Sequence, residues 1–343
     1  MTTLYSETRV EQTGDGAFRR QPNRFRTRFG EGPGEAPVEA GRYRLLVSTI
    51  CGWSRRQTIV LRLLGLTGAI SVGYVSRRGE DGWEFGDDPD GVDPVLRVPR
   101  LNDVYRATDP AYRGRGTVPT VVDLRTGTVV TNDYHTLSLD LETAWAPLHA
   151  PGAPDLYPGP LRRRIDLFNQ QLFDDVNNGP YKVLFASSPA AATAAAGIWE
   201  ARLAELDLRL TTRRYLFGDR ISDSDVRLFV TLASFDTGYR PAFPEHLSQA
   251  RRISDFPHVW AYARDLFATP GFVDEREKAG LGLIPRPDGT PHYGFGGRTP
   301  APGNHDPLTP WLAPHGRESL GGTEVASGPG DAGLEEYWEF ARR

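Results

Sequence analysis

Two kinds of hydrophobic pattern occupy successive parts of the chain, first a mixture of strand and helix patterns and then helical patterns alone. The first part begins after a polar N-terminal stretch. Residues 43–49 form an apolar, partly β-branched run that ends just before Cys51. From residue 55 to residue 64 the apolar positions recur at three- and four-residue spacing, which predicts one face of a helix. A second β-type run occupies residues 70–75. The order predicts a βαβ unit in which strand gives way to helix at the cysteine.

A hairpin signal follows an irregular stretch rich in Asp, Gly and Pro. Residues 118–123 and 128–131 are β-type runs joined by a Thr126-Gly127 turn. A helical pattern at residues 134–145 closes this part of the chain. The order β-α-β and then β-β-α, with one redox-type residue at the first strand-to-helix turn, predicts an α/β domain of the thioredoxin-like arrangement.

The second half of the chain has helical periodicity only. Residues 147–160 hold five prolines and no periodicity, which predicts a linker. Four amphipathic segments separated by short breaks follow, and they predict an all-α bundle. These segments are residues 161–176, 190–210, 222–239 and 257–267. The predicted divisions are an N-terminal arm (1–40), a thioredoxin-like thiol-binding domain (41–146), the linker (147–160), a helical C-terminal domain (161–275) and a Gly/Pro-rich extension (276–343).

Composition narrows the classes of function. The mean hydropathy is -0.44, and the chain has no apolar run of about 18 residues that could span a bilayer. The N-terminus lacks the pattern of a secretory signal, so we expect a soluble, cytoplasmic protein. The formal net charge is -4 and the arginines form no single stripe, which argues against a nucleic-acid partner. One cysteine permits no internal disulfide and no metal site of its own.

Cys51 occupies a position that favours reactivity. It opens the motif Cys51-Gly52-Trp53-Ser54, and Arg55 and Arg56 follow in the first helical turn. Unpaired N–H groups, the helix dipole and these two positive charges all favour a thiolate over a thiol. Because Ser54 stands where a dithiol enzyme carries its second cysteine, a mixed disulfide must be resolved by an external thiol. The alternative is a buried, inert cysteine, as most lone cysteines are.

A proline supports the reactive interpretation. Thr117-Val118-Pro119 places a proline at the start of a strand, where proline is disfavoured unless a special geometry is needed. In thioredoxin-like folds a cis-proline at this point faces the cysteine, and the preceding backbone pairs with a bound thiol. The alternative is an ordinary edge-strand proline.

Two motifs in the helical half have simpler interpretations. Ser222 and Asp225 form a capping-box pattern, a hydroxyl followed three residues later by an acid, which we assign to folding. Tyr181 follows the polar break Asn177-Asn178-Gly179-Pro180, and such a break is usually only a turn. Its phenol remains a candidate site group.

The segments taken together resemble the glutathionyl-hydroquinone reductases, the Xi class of glutathione transferases. The resemblance runs from about residue 25 to residue 272. It is carried by RYRLLVSTICGWSRR, GWEF, DPAYRGRGTVPTVVDLRTGTVVTND, DLYPGPLRRRIDLFNQQLFDDVNNGPYK, RYLFGDRISDSDVRLFVTLASFD and ISDFPHVWAYARDLFATPGF.

The resemblance implies a thioredoxin-like domain, a helical domain and a homodimer formed largely through the helical halves. Family members use the cysteine to take glutathione off a glutathionyl-hydroquinone, and a second glutathione releases it as glutathione disulfide. The roles implied are Cys51 as nucleophile, Trp53 and Trp83 as aromatics of the thiol site, Val118 with Pro119 as the backbone clamp, and Tyr181 in the aromatic-substrate pocket.

The chain departs from the family at three places. Gly52 replaces the proline that follows the family's cysteine. Asp133-Tyr134 replaces a Glu-Ser pair that holds the γ-glutamyl end of glutathione, so a large ring replaces a small hydroxyl. Tyr293 is a positional replacement for the family's C-terminal tyrosine. Lysine occurs only at Lys182 and Lys278, a bias of GC-rich genomes, and mycothiol is therefore an alternative low-molecular-weight thiol.

Three functions remain open at this point. The first is a reductase that removes a thiol from a quinol or aromatic thioether through a mixed disulfide on Cys51. The second is a biosynthetic transferase that makes or breaks a C–S bond on a specialised metabolite. The third is a binding protein that keeps the fold without catalysis.

Overall fold

The chain divides into two compact units with separate cores. The computed structural model describes residues 12–286 and 306–320. One of the two units, which we call the sheet unit, comprises Pro22–Asp155 and Pro270–Gly280. The helical unit comprises the described parts of Met1–Gln21, Leu156–Thr269 and Leu281–Arg343. Each unit is thus built from pieces that are distant along the chain.

The sheet unit contains a mixed four-stranded sheet and a two-stranded ribbon. The strands are β1 (Tyr43–Val47), β2 (Ile70–Tyr74), β3 (Arg77–Gly79), β4 (Gly82–Glu84), β5 (Thr120–Asp123) and β6 (Thr128–Thr131). The sheet order is β2-β1-β5-β6, in which β1 runs parallel to β2 and antiparallel to β5. The predicted βαβ unit and hairpin are therefore confirmed.

Every residue of the central strand β1 is buried, as expected for a strand with neighbours on both edges. One of these residues is Arg44, whose Nη2 lies 2.7 Å from Oδ2 of the equally buried Asp93. Burying one charge without the other would cost several kcal/mol, about 3 to 5 when a partner is removed. The pair therefore lets a charged residue occupy the middle of the sheet.

Three helices of the sheet unit lie within residues 22–155. They are α1 (Gly52–Leu63), α2 (Leu101–Thr108) and α3 (Leu137–Glu142). The predicted single apolar face understates the burial of α1, because all residues from Gly52 to Leu61 are buried. The helix predicted at residues 134–145 is shorter in the structure and forms only α3.

The stretch that we predicted to be irregular holds regular structure. It contains the ribbon β3-β4 and the helix α2, whose Leu101, Val104 and Tyr105 are buried on one face. The prediction was wrong because α2 has only two turns and lies between proline-rich segments, so its i, i+3, i+4 pattern is short. The hairpin strand also begins at Thr120 rather than at residue 118.

The described part of the N-terminal arm is anchored by aromatic residues. Phe29 is 4% exposed, and its ring centroid lies 5.0 Å from that of Tyr43 and 5.4 Å from that of Trp145. The Phe25 N–H donates to the Asn132 side chain at 2.9 Å. Residues 22–40 therefore contribute to the core of the sheet unit.

The helical unit follows the predicted order closely. Its helices are α4 (Arg162–Gln171), α5 (Gly179–Leu184), α6 (Pro189–Arg209), α7 (Asp223–Ser234), α8 (Pro257–Ala268) and the short α10 (Thr309–Leu312). π-helical turns at Leu172–Asn177 and Phe235–Tyr239 extend α4 and α7. The helix α9 (Glu275–Gly280) belongs to the sheet unit. Within residues 12–286 and 306–320 no helix is long and apolar enough to cross a membrane.

Candidate active site

Cys51 lies at the N-cap of α1. Its backbone is extended, with φ -100° and ψ 114°, and its carbonyl accepts the first helical hydrogen bond, from the Arg55 N–H at 3.0 Å. The Cys51 N–H donates to the Ser48 carbonyl at 3.1 Å, which closes the turn after β1. The thiol is half-buried. The positive end of the helix dipole therefore faces the residue that carries the thiol.

The backbone before β5 approaches the thiol. The Cys51 Sγ lies 3.7 Å from the carbonyl oxygen of Val118, and the Val118–Pro119 peptide bond is cis. Val118 and Pro119 are both buried. The structure thus brings together the cysteine and the proline turn that the sequence paired.

A polar network supports this turn from behind. The buried Tyr105 hydroxyl donates to the Thr117 carbonyl at 2.9 Å and lies 2.8 Å from the Thr120 hydroxyl. The Asn132 amide donates to the Thr117 hydroxyl at 3.0 Å. Burial raises the pKa of Tyr105 to about 12, so the phenol remains protonated and keeps its donor role. The network fixes the backbone on either side of Val118.

The first turn of α1 is anchored by its polar side chains. The Ser54 hydroxyl accepts from the Ser48 N–H at 3.2 Å. The Arg55 guanidinium donates to the Thr49 carbonyl at 2.6 Å, and that of Arg56 donates to the Tyr134 carbonyl. All three side chains are buried. They hold the backbone of the cysteine turn and of a neighbouring turn, while their predicted influence on the thiolate stays a prediction.

The predicted aromatics of the thiol site form two groups. The Trp53 ring lies 4.7 Å from the Tyr134 ring, which in turn lies 4.4 Å from the His135 ring. Trp83 shares a buried apolar cluster with Val118, and Cys51 packs against that cluster. The large ring of Tyr134 therefore packs against Trp53 in a tilted arrangement within the sheet unit.

Asp133 presents a half-buried carboxylate next to Tyr134. Its Oδ1 accepts hydrogen bonds from the Asn23 amide at 2.9 Å and from the His135 N–H at 3.0 Å. These two donors fix the side chain. The carboxylate keeps further acceptor capacity, because an ionised carboxylate has about four lone-pair directions.

Tyr181 lies in the helical unit, near the start of α5. It is 6% exposed, and its hydroxyl accepts from the Tyr239 hydroxyl at 3.2 Å. The Arg20 guanidinium lies 4.4 Å from the centre of the Tyr181 ring and donates to the Asn178 side chain at 2.7 Å. Tyr293 lies outside the described residues.

Comparison with known proteins identifies the family. Residues 189–265 match the family described as Glutathione S-transferase, C-terminal domain. The glutathionyl-hydroquinone reductase YqjG of Escherichia coli (strain K12) is 36% identical over 277 residues, which cover 77% of this chain and 82% of that protein. The chain belongs to the glutathionyl-hydroquinone reductase family, the Xi class of glutathione transferases. The family, the fold class and the kind of enzyme that we predicted from the sequence are confirmed.

Solved Xi-class structures share the fold. The glutathione-S-transferase Xi from Phanerochaete chrysosporium is 33% identical, with coverage of 88% of this chain and 96% of its own and a TM-score of 0.75. The glutathione-bound structure of YqjG from Escherichia coli K-12 is 31% identical, with coverage of 88% and 97% and a TM-score of 0.72. This Xi-class chain therefore has relatives of known fold over most of its length.

Sequence reasoning missed three features of this Xi-class chain. Asn132 and Tyr105 hold the proline turn, and Tyr239 pairs with Tyr181. The segment Pro270–Gly280 belongs to the sheet unit although it follows the helical bundle along the chain. Asn132 could have been found from the sequence, because it is a polar residue directly after the hairpin. The other features depend on contacts between residues that are distant along the chain.

Proposed function

We propose that the protein is a glutathione-dependent reductase that removes glutathione from a glutathionyl-hydroquinone. The observation that carries the proposal is the position of Cys51 at the start of α1, with its Sγ 3.7 Å from the Val118 carbonyl. A backbone carbonyl and the neighbouring N–H groups can pair with the extended backbone of a thiol-containing peptide. The thiolate is the nucleophilic form of cysteine.

The reaction balances in two steps. The Cys51 thiolate attacks the thioether sulfur, the bond between that sulfur and the aromatic carbon breaks, and the carbon takes a proton. The product is the free hydroquinone and a mixed disulfide on Cys51. A second glutathione thiolate then attacks the mixed disulfide, which releases glutathione disulfide and the Cys51 thiolate. The thioether sulfur and the thiol sulfur of the second glutathione each lose one electron, and the aromatic carbon gains two.

Neighbouring residues would orient the thiol. Asp133, with its half-buried carboxylate, would accept the ammonium group of the γ-glutamyl end. Trp53 and Trp83 would line the thiol site, while Val118 and Pro119 would supply the backbone clamp. Ser54, Arg55 and Arg56 would hold the first turn of α1.

Tyr181 would contact the aromatic substrate, and its hydrogen bond with Tyr239 would orient the phenol. The Arg20 guanidinium over the ring favours a fixed ring position, because a cation over an aromatic face is attractive by about 0.5 to 2 kcal/mol. The role that the sequence predicted for Tyr293 stays a prediction.

Mycothiol is a second candidate co-substrate. Tyr134 stands where the family has a small hydroxyl, and its ring packs tilted against that of Trp53. A large ring there alters the space offered to the γ-glutamyl end, which favours a thiol of different shape. A biosynthetic C–S transferase would use the same thiolate on a different substrate.

An apolar stripe on α6 supports a homodimer. Ile198 is 49% exposed and Leu208 is 66% exposed, and the exposed Ala194 and Ala201 lie on the same face. An exposed apolar stripe of this kind is typical of a surface covered by another chain. A cytoplasmic location also stays a prediction.

Turnover and intact mass test these proposals together. The protein is given a glutathionyl-hydroquinone with glutathione, and in parallel glutathione disulfide or oxidised mycothiol, followed by intact-mass measurement. We expect hydroquinone release and one glutathione adduct on the parent, and neither on Cys51→Ser. An adduct with mycothiol alone would replace glutathione as co-substrate. Equal turnover by Cys51→Ser would overturn the cysteine mechanism, and binding without turnover would favour the non-catalytic alternative.

A further inference from the structure

The segment Pro270–Gly280 returns from the helical bundle to the sheet unit. Arg62, near the end of α1, donates from Nε to the Gly271 carbonyl at 2.7 Å and from Nη2 to the Phe272 carbonyl at 3.1 Å. Phe272 is fully buried. The segment is thus tied to α1 by its backbone and by an apolar anchor.

Glu277, on α9, contacts α1 directly. Its carboxylate is 4% exposed and accepts from the Thr58 hydroxyl at 2.6 Å and from the Arg62 guanidinium at 2.7 Å. Burial raises the pKa of Glu277, while the charges of Arg62 and Arg55 oppose that rise and Asp274 adds to it. Glu277 therefore also interacts electrostatically with Arg55, which lies in the first turn after Cys51.

Gly280 contacts the turn that leads to the cysteine. A Cβ added to Gly280 would lie 2.5 Å from the Thr49 Cβ and 2.7 Å from the Thr49 carbonyl oxygen. The same carbonyl accepts from the Arg55 guanidinium at 2.6 Å. Thr49 is thus held between α9 and α1, two residues before Cys51.

We propose that Glu277 and Gly280 are positioning residues for Cys51, acting through Arg55 and Thr49. Gly280 sets how closely α9 approaches the Thr49 backbone, and Glu277 fixes α1 from its buried side. The inference rests on the proposed function of Cys51 as nucleophile. A displacement of about 1 Å at a reacting group can cost about a hundredfold in rate, so the position of this turn matters for chemistry.

Gly280→Ala tests the contact with Thr49. The added methyl must displace the Thr49 backbone, so we expect the rate constant for Cys51 alkylation by iodoacetamide to fall about fivefold. We expect its pH profile to shift as the thiol moves relative to the helix start. Gly68→Ala is the matched control in the same unit, because its added methyl meets nothing within 4 Å. The control should keep the parent rate and profile.

Glu277→Gln tests the charge without removing the hydrogen-bond acceptor. The amide can still accept from Thr58, but it no longer balances Arg55 and Arg62. We expect a shifted alkylation profile and a lower kcat with little change in KM. Glu275→Gln is the control on the same helix, because Glu275 is exposed and paired only with Lys278 in the described ion pairs.

The alkylation readout separates this inference from the proposed function. If the parent forms no mixed disulfide, the proposed function is wrong. The alkylation rate of Cys51 would still report on the position of the thiol. Parent-like alkylation rates and profiles in both Gly280→Ala and Glu277→Gln would overturn the positioning role. If Gly280→Ala does not fold, Glu277→Gln alone decides, and a melting temperature lowered with an unchanged profile would indicate a structural role only.

Discussion

The helices α1 and α7 both begin after an extended N-cap residue, but with opposite electrostatics. At α7, Ser222 is the N-cap and Asp225 stands three residues later. The buried Asp225 carboxylate accepts from the Ser222 N–H at 2.8 Å, the Leu216 N–H at 2.9 Å and the Tyr262 hydroxyl at 2.8 Å. Burial raises the pKa of Asp225, while these hydrogen bonds oppose that rise and favour the charged form. The carboxylate satisfies donors at the positive end of the helix, which stabilises the helical unit.

At α1, Cys51 is the N-cap and Ser54 occupies the position that Asp225 has in α7. The Ser54 hydroxyl also holds an upstream backbone N–H, that of Ser48, but it carries no charge. The first turn of α1 contains no acidic residue. One helix start is neutralised for stability, and the other is left positive next to a thiol. The comparison implies that the residue three places after the N-cap decides which use a helix start serves.

Removing the acid of α7 should have the largest effect. Asp225→Ala leaves those three donors and the Ser222 hydroxyl, which also donates to it at 2.7 Å, without their acceptor. We therefore expect the free energy of unfolding to fall by about 3 to 5 kcal/mol. Urea unfolding measures this loss. Asp219→Ala, in the turn before the N-cap, is the control and should change stability by less than about 1 kcal/mol. A loss below about 1 kcal/mol in Asp225→Ala would contradict the stabilising role of the acid.

An acidic residue three places after the N-cap should give the start of α1 the electrostatics of the start of α7. Ser54→Asp places a negative charge where it can reach back to the N-cap, so the thiolate fraction of Cys51 should fall. We expect alkylation at pH 7 to slow by about 10- to 100-fold, the effect of one like charge nearby. Ser54→Asn has nearly the same shape without the charge and should retain most of the rate. Equal losses in both variants would show that shape, not charge, controls the thiol.

The acid beyond the other end of α7 should give a smaller, pH-dependent effect. Burial raises the pKa of Asp236 to about 6, although the Ile253 N–H, Arg252 and Arg240 favour its charged form and Asp255 opposes it. Between about pH 4 and pH 6 the folded protein holds a proton that the unfolded chain releases. Protonated Asp236 therefore makes its full contribution to the free energy of unfolding below about pH 4. That contribution is lost as the pH rises through about 6.

Asp236→Asn removes that titration. We expect its free energy of unfolding, relative to the parent, to rise by about 2 to 3 kcal/mol between pH 4 and pH 7. Chemical denaturation across this pH range measures the difference. Glu245→Gln changes an exposed carboxylate in the same unit and should leave the pH dependence unaltered. If the free energy of unfolding of Asp236→Asn changes with pH as that of the parent does, Asp236 does not hold this proton in the folded protein.

The smallest effect concerns the residue after Cys51. Gly52 is the first residue of α1, a position that proline favours, and the extended Cys51 backbone suits a following proline. Gly52→Pro should raise the free energy of unfolding by about 0.5 to 1 kcal/mol by restricting the unfolded chain. Thermal unfolding measures the gain. A destabilised variant would show that the first turn of α1 has no room for the ring.

Local patterns predicted the parts of the site that depend on neighbouring residues. The start of α1 at Cys51, the proline turn before β5 and the capping box of α7 are each written in a few consecutive residues. The contact between Glu277 and Thr58 joins residues 219 positions apart, and nothing in either local pattern indicates it. The Tyr181–Tyr239 pair has the same origin, since each tyrosine lies on its own helix. Such contacts follow from tertiary packing, which periodicity does not describe.

The divided sheet unit has a consequence for the order of synthesis. A ribosome makes residues 22–155 before residues 156–269 of the helical unit, and Pro270–Gly280 only after both. Domains generally fold as units from the N-terminus during synthesis. The sheet of this protein can form early, but Thr49 and Thr58 gain their α9 contacts only when the chain is nearly complete. The turn before Cys51 thus gains its last contacts late, and a chain that stops short of residue 277 carries the cysteine without this support.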